Sequence, residues 1–170
     1  VQFEPNQAGN GSSGSTFQAT SFTGFTATEP ADIISDVALF YDIYAPGDTR
    51  RDVSYAKQLL NPTTGTLYTF PKPIFKKYLD LTNLATPGNV AINFPIIRYA
   101  DILLSLAEAI NEQGTPTPEA FELLNQVRRR AFGKAITTPD PTVDLAGLDQ
   151  AGFRAAIQEE RKKEFVQEGQ

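Results

Sequence analysis

The sequence predicts a mostly α-helical fold, in antiparallel helices with long loops and a few short β-strands. Three observations point there. In the second half of the chain, apolar residues recur at three- and four-residue steps over segments of helical length. Helix-starting and helix-stopping residues stand at the ends of those segments. Charged residues also sit at fixed helical offsets inside the apolar faces, and a buried charge persists only when partnered. The expected helices cover about residues 96–113, 118–132 and 150–168. About four residues join the first two, so these run antiparallel.

Residues 1–28 carry no clear periodicity. Val1–Glu4 could end a strand, and Gly9-Asn10-Gly11-Ser12-Ser13-Gly14-Ser15 has the composition of a loop. Phe17, Phe22 and Phe25 follow among Ser, Thr and Gly, placed either to plug a core or to line a ligand groove. Thr28 or Pro30 opens a short helix to about Tyr41, with Glu29, Asp32 and Asp36 near its positive end. Pro46-Gly47-Asp48 reads as the turn that ends it. Asp48-Thr49-Arg50-Arg51-Asp52 then forms a compact charge cluster, expected as a local salt-bridge knot. Thr66–Phe70 and Ile74–Leu79 are short strand-like pieces among Pro and Gly. Residues 1–93 thus form a loop-rich segment with one short helix and short strands, and residues 94–170 a three-helix region of the same domain.

Within the first of the three helices, Tyr99, Leu103, Leu106 or Ala107, and Ile110 make the apolar face, with Arg98, Asp101 and Glu108 on or beside it. Gly114 stops that helix. Thr117 caps the second, with Pro118 in the first turn, and Phe121, Leu124, Val127 and Ala131 form its stripe before Gly133. Asp149 caps the third, with Leu148 and Phe153 placed as a hydrophobic staple. Its stripe, Phe153 and Ile157, turns charged at Arg161, Glu164 and Glu168. The pattern predicts that Arg161 and Glu164 pair with Asp101, Glu108, Arg98 or Arg128 in a partly buried lattice that is structural and not catalytic.

Composition narrows the function. In 170 residues, 41% are hydrophobic and 21% charged, ordinary values for a globular protein. The net charge of −5 and a pI near 4.8 make nucleic acid and anionic lipid poor partners. With no Cys and no His, thiol chemistry, Ser-His-Asp catalysis and the commonest metal ligand are all excluded, so no cofactor and no metal site are expected. No apolar run is long enough to span a bilayer. Val1 opens the chain without Met, and a piece of a longer protein is expected.

Phe94-Pro95-Ile96-Ile97-Arg98-Tyr99-Ala100-Asp101-Ile102-Leu103-Leu104 with Ala107-Glu108-Ala109-Ile110-Asn111-Glu112 resembles the RYAD-type helix of the SusD/RagB-like outer-membrane nutrient-binding lipoproteins. Leu124–Ala131 resembles that family's next helix, and Glu160-Arg161-Lys162-Lys163-Glu164-Phe165-Val166-Gln167-Glu168-Gly169 its "ER…E…EG" helix. Asp48-Thr49-Arg50-Arg51 and Phe75-Lys76-Lys77-Tyr78 resemble family positions less distinctively. The family's lipid-bearing cysteine, its N-terminal helices and its continuation past Gln170 have no counterpart in these residues. The resemblance implies tetratricopeptide-like antiparallel helix pairs of the α-α superhelix type. It also implies a non-catalytic protein on the outer face of the bacterial outer membrane, lipid-anchored, that captures glycans or peptides for a SusC-like TonB-dependent transporter. Family glycan contacts come from loops outside the signature helices, which makes Phe17, Phe22, Phe25, Tyr44 and Tyr68 the candidate ligand residues. Two other functions fit the residues less well: a tetratricopeptide-like protein–protein interaction module, and a glycosidase using carboxylates among Glu4, Asp36, Asp42 and Asp48.

Overall fold

A computed structural model describes residues 36–60, 65–77 and 95–168. The chain divides into two compact units, Val1–Ile43 with Arg51–Pro95 and Tyr44–Arg50 with Ile96–Gln170. Most of the short helix expected over Thr28–Tyr41 lies outside the described residues. Its end is helix α1, Val37–Phe40, where Asp36 Oδ1 accepts the Leu39 amide at 2.9 Å. Helix α2, Arg50–Ser54, leads directly into strand β1, Tyr55–Leu60, which pairs antiparallel with β2, Leu67–Phe75.

The hairpin corrects the expected strands in two ways. Thr66–Phe70 and the start of Ile74–Leu79 merge into the single strand β2, which ends at Phe75 with Lys76 and Lys77 outside it. Its register slips between Ala56 and Gln58, leaving residues 70–73 opposite Lys57 alone. Pro71 and Pro73 occupy this irregularity, where a missing N–H costs no ladder hydrogen bond. Strand β1 opens the stretch from Tyr55 to Asn93 where short hairpin strands are expected, but its sequence has no clean alternation that would single it out. Ala56, Leu59, Phe70 and Ile74 form the small core of this unit, with Tyr68 packed against it. Tyr41 meets Tyr55 edge-on at 5.9 Å, and the Lys57 ammonium lies 4.5 Å from the Tyr41 ring centre.

The second unit contains the three expected helices: α3, Tyr99–Glu112, α4, Pro118–Ala131, and α5, Gln150–Glu164. Each ends earlier than its sequence pattern suggested, most clearly α5, where residues 165–168 form a turn. Thr117 and Asp149 cap α4 and α5, accepting the amides of Ala120 and Gly152 at 3.2 and 2.7 Å. Gly133, at φ +66°, follows the α4 C-cap, and Gly133 and Lys134 return their amides to the Arg130 and Arg129 carbonyls. Thr137–Leu148 is pinned by Asn125, whose amide side chain exchanges two hydrogen bonds with the Leu145 backbone at 2.8 and 3.0 Å.

Leu103, Leu104, Ala107, Leu124, Val127, Phe153, Ile157 and Phe165 are the heart of the core, and the Phe121 ring stacks edge-on against Phe153 at 4.7 Å. Fully burying a side chain such as Phe153 or Ile157 contributes about 1.5–3 kcal/mol. The buried face of α3 differs from the expected one. Ala100, Leu103, Leu104, Ala107 and Asn111 point inward, while Tyr99 is 73% exposed and Leu106 44%. Helix α3 is apolar over so much of its circumference that periodicity allowed either face. No helix among the described residues is long and apolar enough to cross a membrane.

Candidate functional site

The charged turn in the α5 stripe is the site the sequence marked most clearly. Past Ile157 the inward positions are Glu160 and Glu164, and Glu168 follows in the terminal turn, all buried. Arginines from three places converge on them. Arg50 Nη1 lies 2.6 Å from Glu160 and 3.3 Å from Glu164, while its Nε and Nη2 grip Asp48 at 2.9 and 2.6 Å. Arg98 donates to Glu164 and Glu168, each at 2.8 Å, and to the Glu164 carbonyl at 3.0 Å. From α4, Arg128 reaches Glu160 at 3.0 Å and Arg130 reaches Glu164 at 2.6 Å. Among the described residues, four arginines (50, 98, 128 and 130) thus meet four carboxylates (48, 160, 164 and 168).

Guanidinium geometry explains the residue choice. A planar fork can grip one carboxylate with two nitrogens and still have donors for another, which an ammonium point charge does poorly. Burial alone would raise the Glu164 carboxyl, but Arg130 and Arg98 outweigh it and hold the group at about 2. Arg98 and Arg161 also flank the Phe165 ring, at 4.9 and 5.3 Å from its centre. Arg161 pairs with Asp101 at 2.8 Å and donates to Ser105 at 3.2 Å. A second knot centres on Arg129, 1% exposed, which takes Glu122 and Asp144 bidentately and the Ile136 carbonyl at 2.9 Å. Its guanidinium holds both carboxyls below their ordinary range. Such arrays anchor helices to one another.

Of the expected lattice residues, Arg98, Arg128 and Glu164 are in it, while Arg161 and Asp101 pair with each other. Glu108 is not in it: it lies in the field of Arg154, which forks onto Glu112 at 2.7 Å from both nitrogens. The Asp48–Asp52 cluster is only partly a local knot. Arg51 does pair with its neighbour Asp52, but Arg50 crosses 110 positions of sequence to Glu160. Asp48, Arg50, Arg130, Glu160 and Glu168 in the array, and Arg129 in the second knot, were partners that sequence reasoning did not place there. Glu160 carried a signal, since it continues the Phe153–Ile157 spacing.

The candidate ligand residues fall in different places. Phe17, Phe22 and Phe25 lie outside the described residues. Tyr68 is half-buried on the hairpin of the first unit. Tyr44 is corrected to a scaffold residue: it is 6% exposed and its hydroxyl donates to the Lys163 carbonyl at 3.0 Å, which leaves no ring face for a ligand. Among the described residues, no cluster of carboxylates has the arrangement of a metal site.

The family model described as "SusD family" matches residues 11–170. SusD-like protein P25 of Formosa agariphila is 36% identical over 119 residues, covering 70% of this chain and 21% of its own length. The chain thus spans about a fifth of the length of the curated relatives it matches. Among solved structures, a SusD superfamily protein of Bacteroides fragilis aligns with 100% of this chain and 38% of its own, at TM-score 0.67 and 21% identity, a likeness of fold. The surface glycan-binding protein A of Bacteroides uniformis is 29% identical at TM-score 0.54, over 76% of this chain and 26% of its own.

Proposed function

The chain belongs to the SusD family, and on that premise we propose that it forms part of a non-catalytic binding protein that captures glycans at the bacterial cell surface. The observation that carries this reading is the family match over residues 11–170. Three residues that resemble the family's motifs, Arg98, Arg128 and Glu164, meet in the lattice, and a fourth, Arg161, pairs with Asp101. Scaffold charges that pair with one another leave recognition to the loops. SusD-like proteins are generally outer-membrane proteins that bind glycans and work with a SusC-type transporter. By the same reasoning the full protein is lipid-anchored, faces outward and hands its ligand to a TonB-dependent transporter. A glycan is the proposed ligand and a peptide the alternative.

The physics of sugar capture selects the residues to test. An aromatic ring covers the apolar face of a pyranose, and amide and carboxylate groups fix its hydroxyls. Phe17, Phe22, Phe25 and Tyr68 are the proposed stacking residues. Titration of the chain with a panel of oligosaccharides, followed by calorimetry, is expected to find one that binds. Phe22→Ala and Phe25→Ala are expected to weaken it by about tenfold or more each, the loss of roughly one stacked ring. Unchanged affinity in both variants removes those rings from the site. Binding by peptides but by no glycan overturns the choice of ligand.

A further inference from the structure

The stretch Tyr44–Arg50 belongs with the helices, while its neighbours in sequence, Ile43 and Arg51, belong to the other unit. It lies across the C-terminal ends of α4 and α5, where a helix leaves carbonyls without internal partners. Thr49 supplies two donors to the Ala131 carbonyl, its amide and its Oγ1, each at 2.9 Å. The Tyr44 hydroxyl donates to the Lys163 carbonyl at 3.0 Å. Between these contacts Gly47 turns at φ +89°, with the Phe132 ring 3.5 Å from where a Cβ would stand.

Three features make this strap separable from the helices beneath it. Its grip is mainly polar, since Tyr44 is its one buried apolar side chain. The carbonyls it covers lie at helix ends, where water replaces a lost donor at small net cost. Its charges also leave as an opposed pair, because Arg50 grips Asp48 within the strap at 2.9 and 2.6 Å. When the two withdraw together, Glu160 keeps Arg128, Glu164 keeps Arg98 and Arg130, and Glu168 keeps Arg98. Breaking a buried pair is expensive when it strands a charge, and here no glutamate is stranded. The charged tie that opposes release is Arg50 Nη1, 2.6 Å from Glu160 and 3.3 Å from Glu164.

We propose that Tyr44–Arg50 is a latch that detaches from the helical unit as one piece while α3, α4 and α5 stay packed, with Arg50 as its bolt. Segments of this kind open at a free energy below that of global unfolding. Release gives the chain slack at both places where it crosses between units, Ile43–Tyr44 and Arg50–Arg51. The latch is independent of the ligand proposed above.

Native-state hydrogen exchange of the full-length protein that contains this chain tests the latch, read by mass spectrometry on peptides from the strap and from α3–α5. The amides of Asp48, Thr49 and Arg50 donate to the Ala45 carbonyl, the Ala131 carbonyl and Asp48 Oδ1 at 3.0, 2.9 and 3.1 Å, and are expected to exchange together. They should exchange at least about tenfold faster than the middle of α4 and α5, with little response to low urea. Arg50→Gln is expected to speed the strap by about a further tenfold and to leave the helices within about twofold. Gly47→Ala keeps every ion pair but strains the turn, and is expected to speed the strap about fivefold. Strap amides that exchange at the rate of the helices and with their urea dependence overturn the proposal. So does either variant that speeds the helices as much as the strap, or a strap that Gly47→Ala leaves unaltered.

Discussion

At the scale of single residues, Glu164 is the position with most at stake. Its carboxylate is 5% exposed and lies against Arg50, Arg98 and Arg130. Glu164→Gln keeps the shape and removes the charge, which leaves Arg50 to Asp48 and Glu160, Arg98 to Glu168, and the half-exposed Arg130 without this carboxylate. The expected loss is about 3–5 kcal/mol, read as a lower urea midpoint at unchanged slope. Acid should act on the same group. Its folded value of about 2 lies below the ordinary 4.5, so the folded state holds fewer protons at this site than the unfolded chain. The resulting stabilisation is fully present above pH 4.5 and declines as pH falls towards about 2. That decline amounts to roughly 3 kcal/mol, and Glu164→Gln should flatten the pH dependence of unfolding across this window. Parallel curves for the two proteins would show that other carboxylates control acid stability.

At the scale of elements, the caps were the most legible part of the sequence. Thr117 and Asp149 stand where the spacing placed them, because a cap depends on the three residues that follow and on nothing distant. Thr117→Ala and Asp149→Ala should each cost about 1 kcal/mol in thermal or urea unfolding, and the two losses should add. Less of α3 could be read. Its periodicity fits a face through Tyr99 and Leu106 as well as one through Ala100 and Leu104, and only packing against α4 and α5 chose the second. Strand β1 was hidden for a related reason: Tyr55–Leu60 becomes a strand by pairing with β2, not by its own alternation. Arg50 shows the limit of local reading. Its neighbours Asp48 and Asp52 suggested a closed cluster, and nothing nearby in sequence revealed that one nitrogen goes to Glu160. The ligand residues were the least legible, since loop aromatics lack a period and Tyr44 looks the same in sequence whether it faces a sugar or the Lys163 carbonyl.

At the scale of the whole molecule, two kinds of cohesion coexist. The hairpin unit rests on a small apolar cluster and the helical unit on a larger core joined to an ionic array. Apolar cores tolerate change one methyl at a time, whereas the array is neutral only when complete. Salt reports on that integrity: buried pairs are screened far less than exposed ones, so moderate salt should leave the urea midpoint of the helical unit nearly unchanged. A drop of more than about 1 kcal/mol on raising salt would place the array in contact with solvent. The completeness of the array also bears on how this chain can drift over generations. A lone replacement at position 50, 98, 160 or 164 leaves a stranded ion, so lineages should alter these positions in concert or hold them still, and a family tree should carry that signature as correlated change.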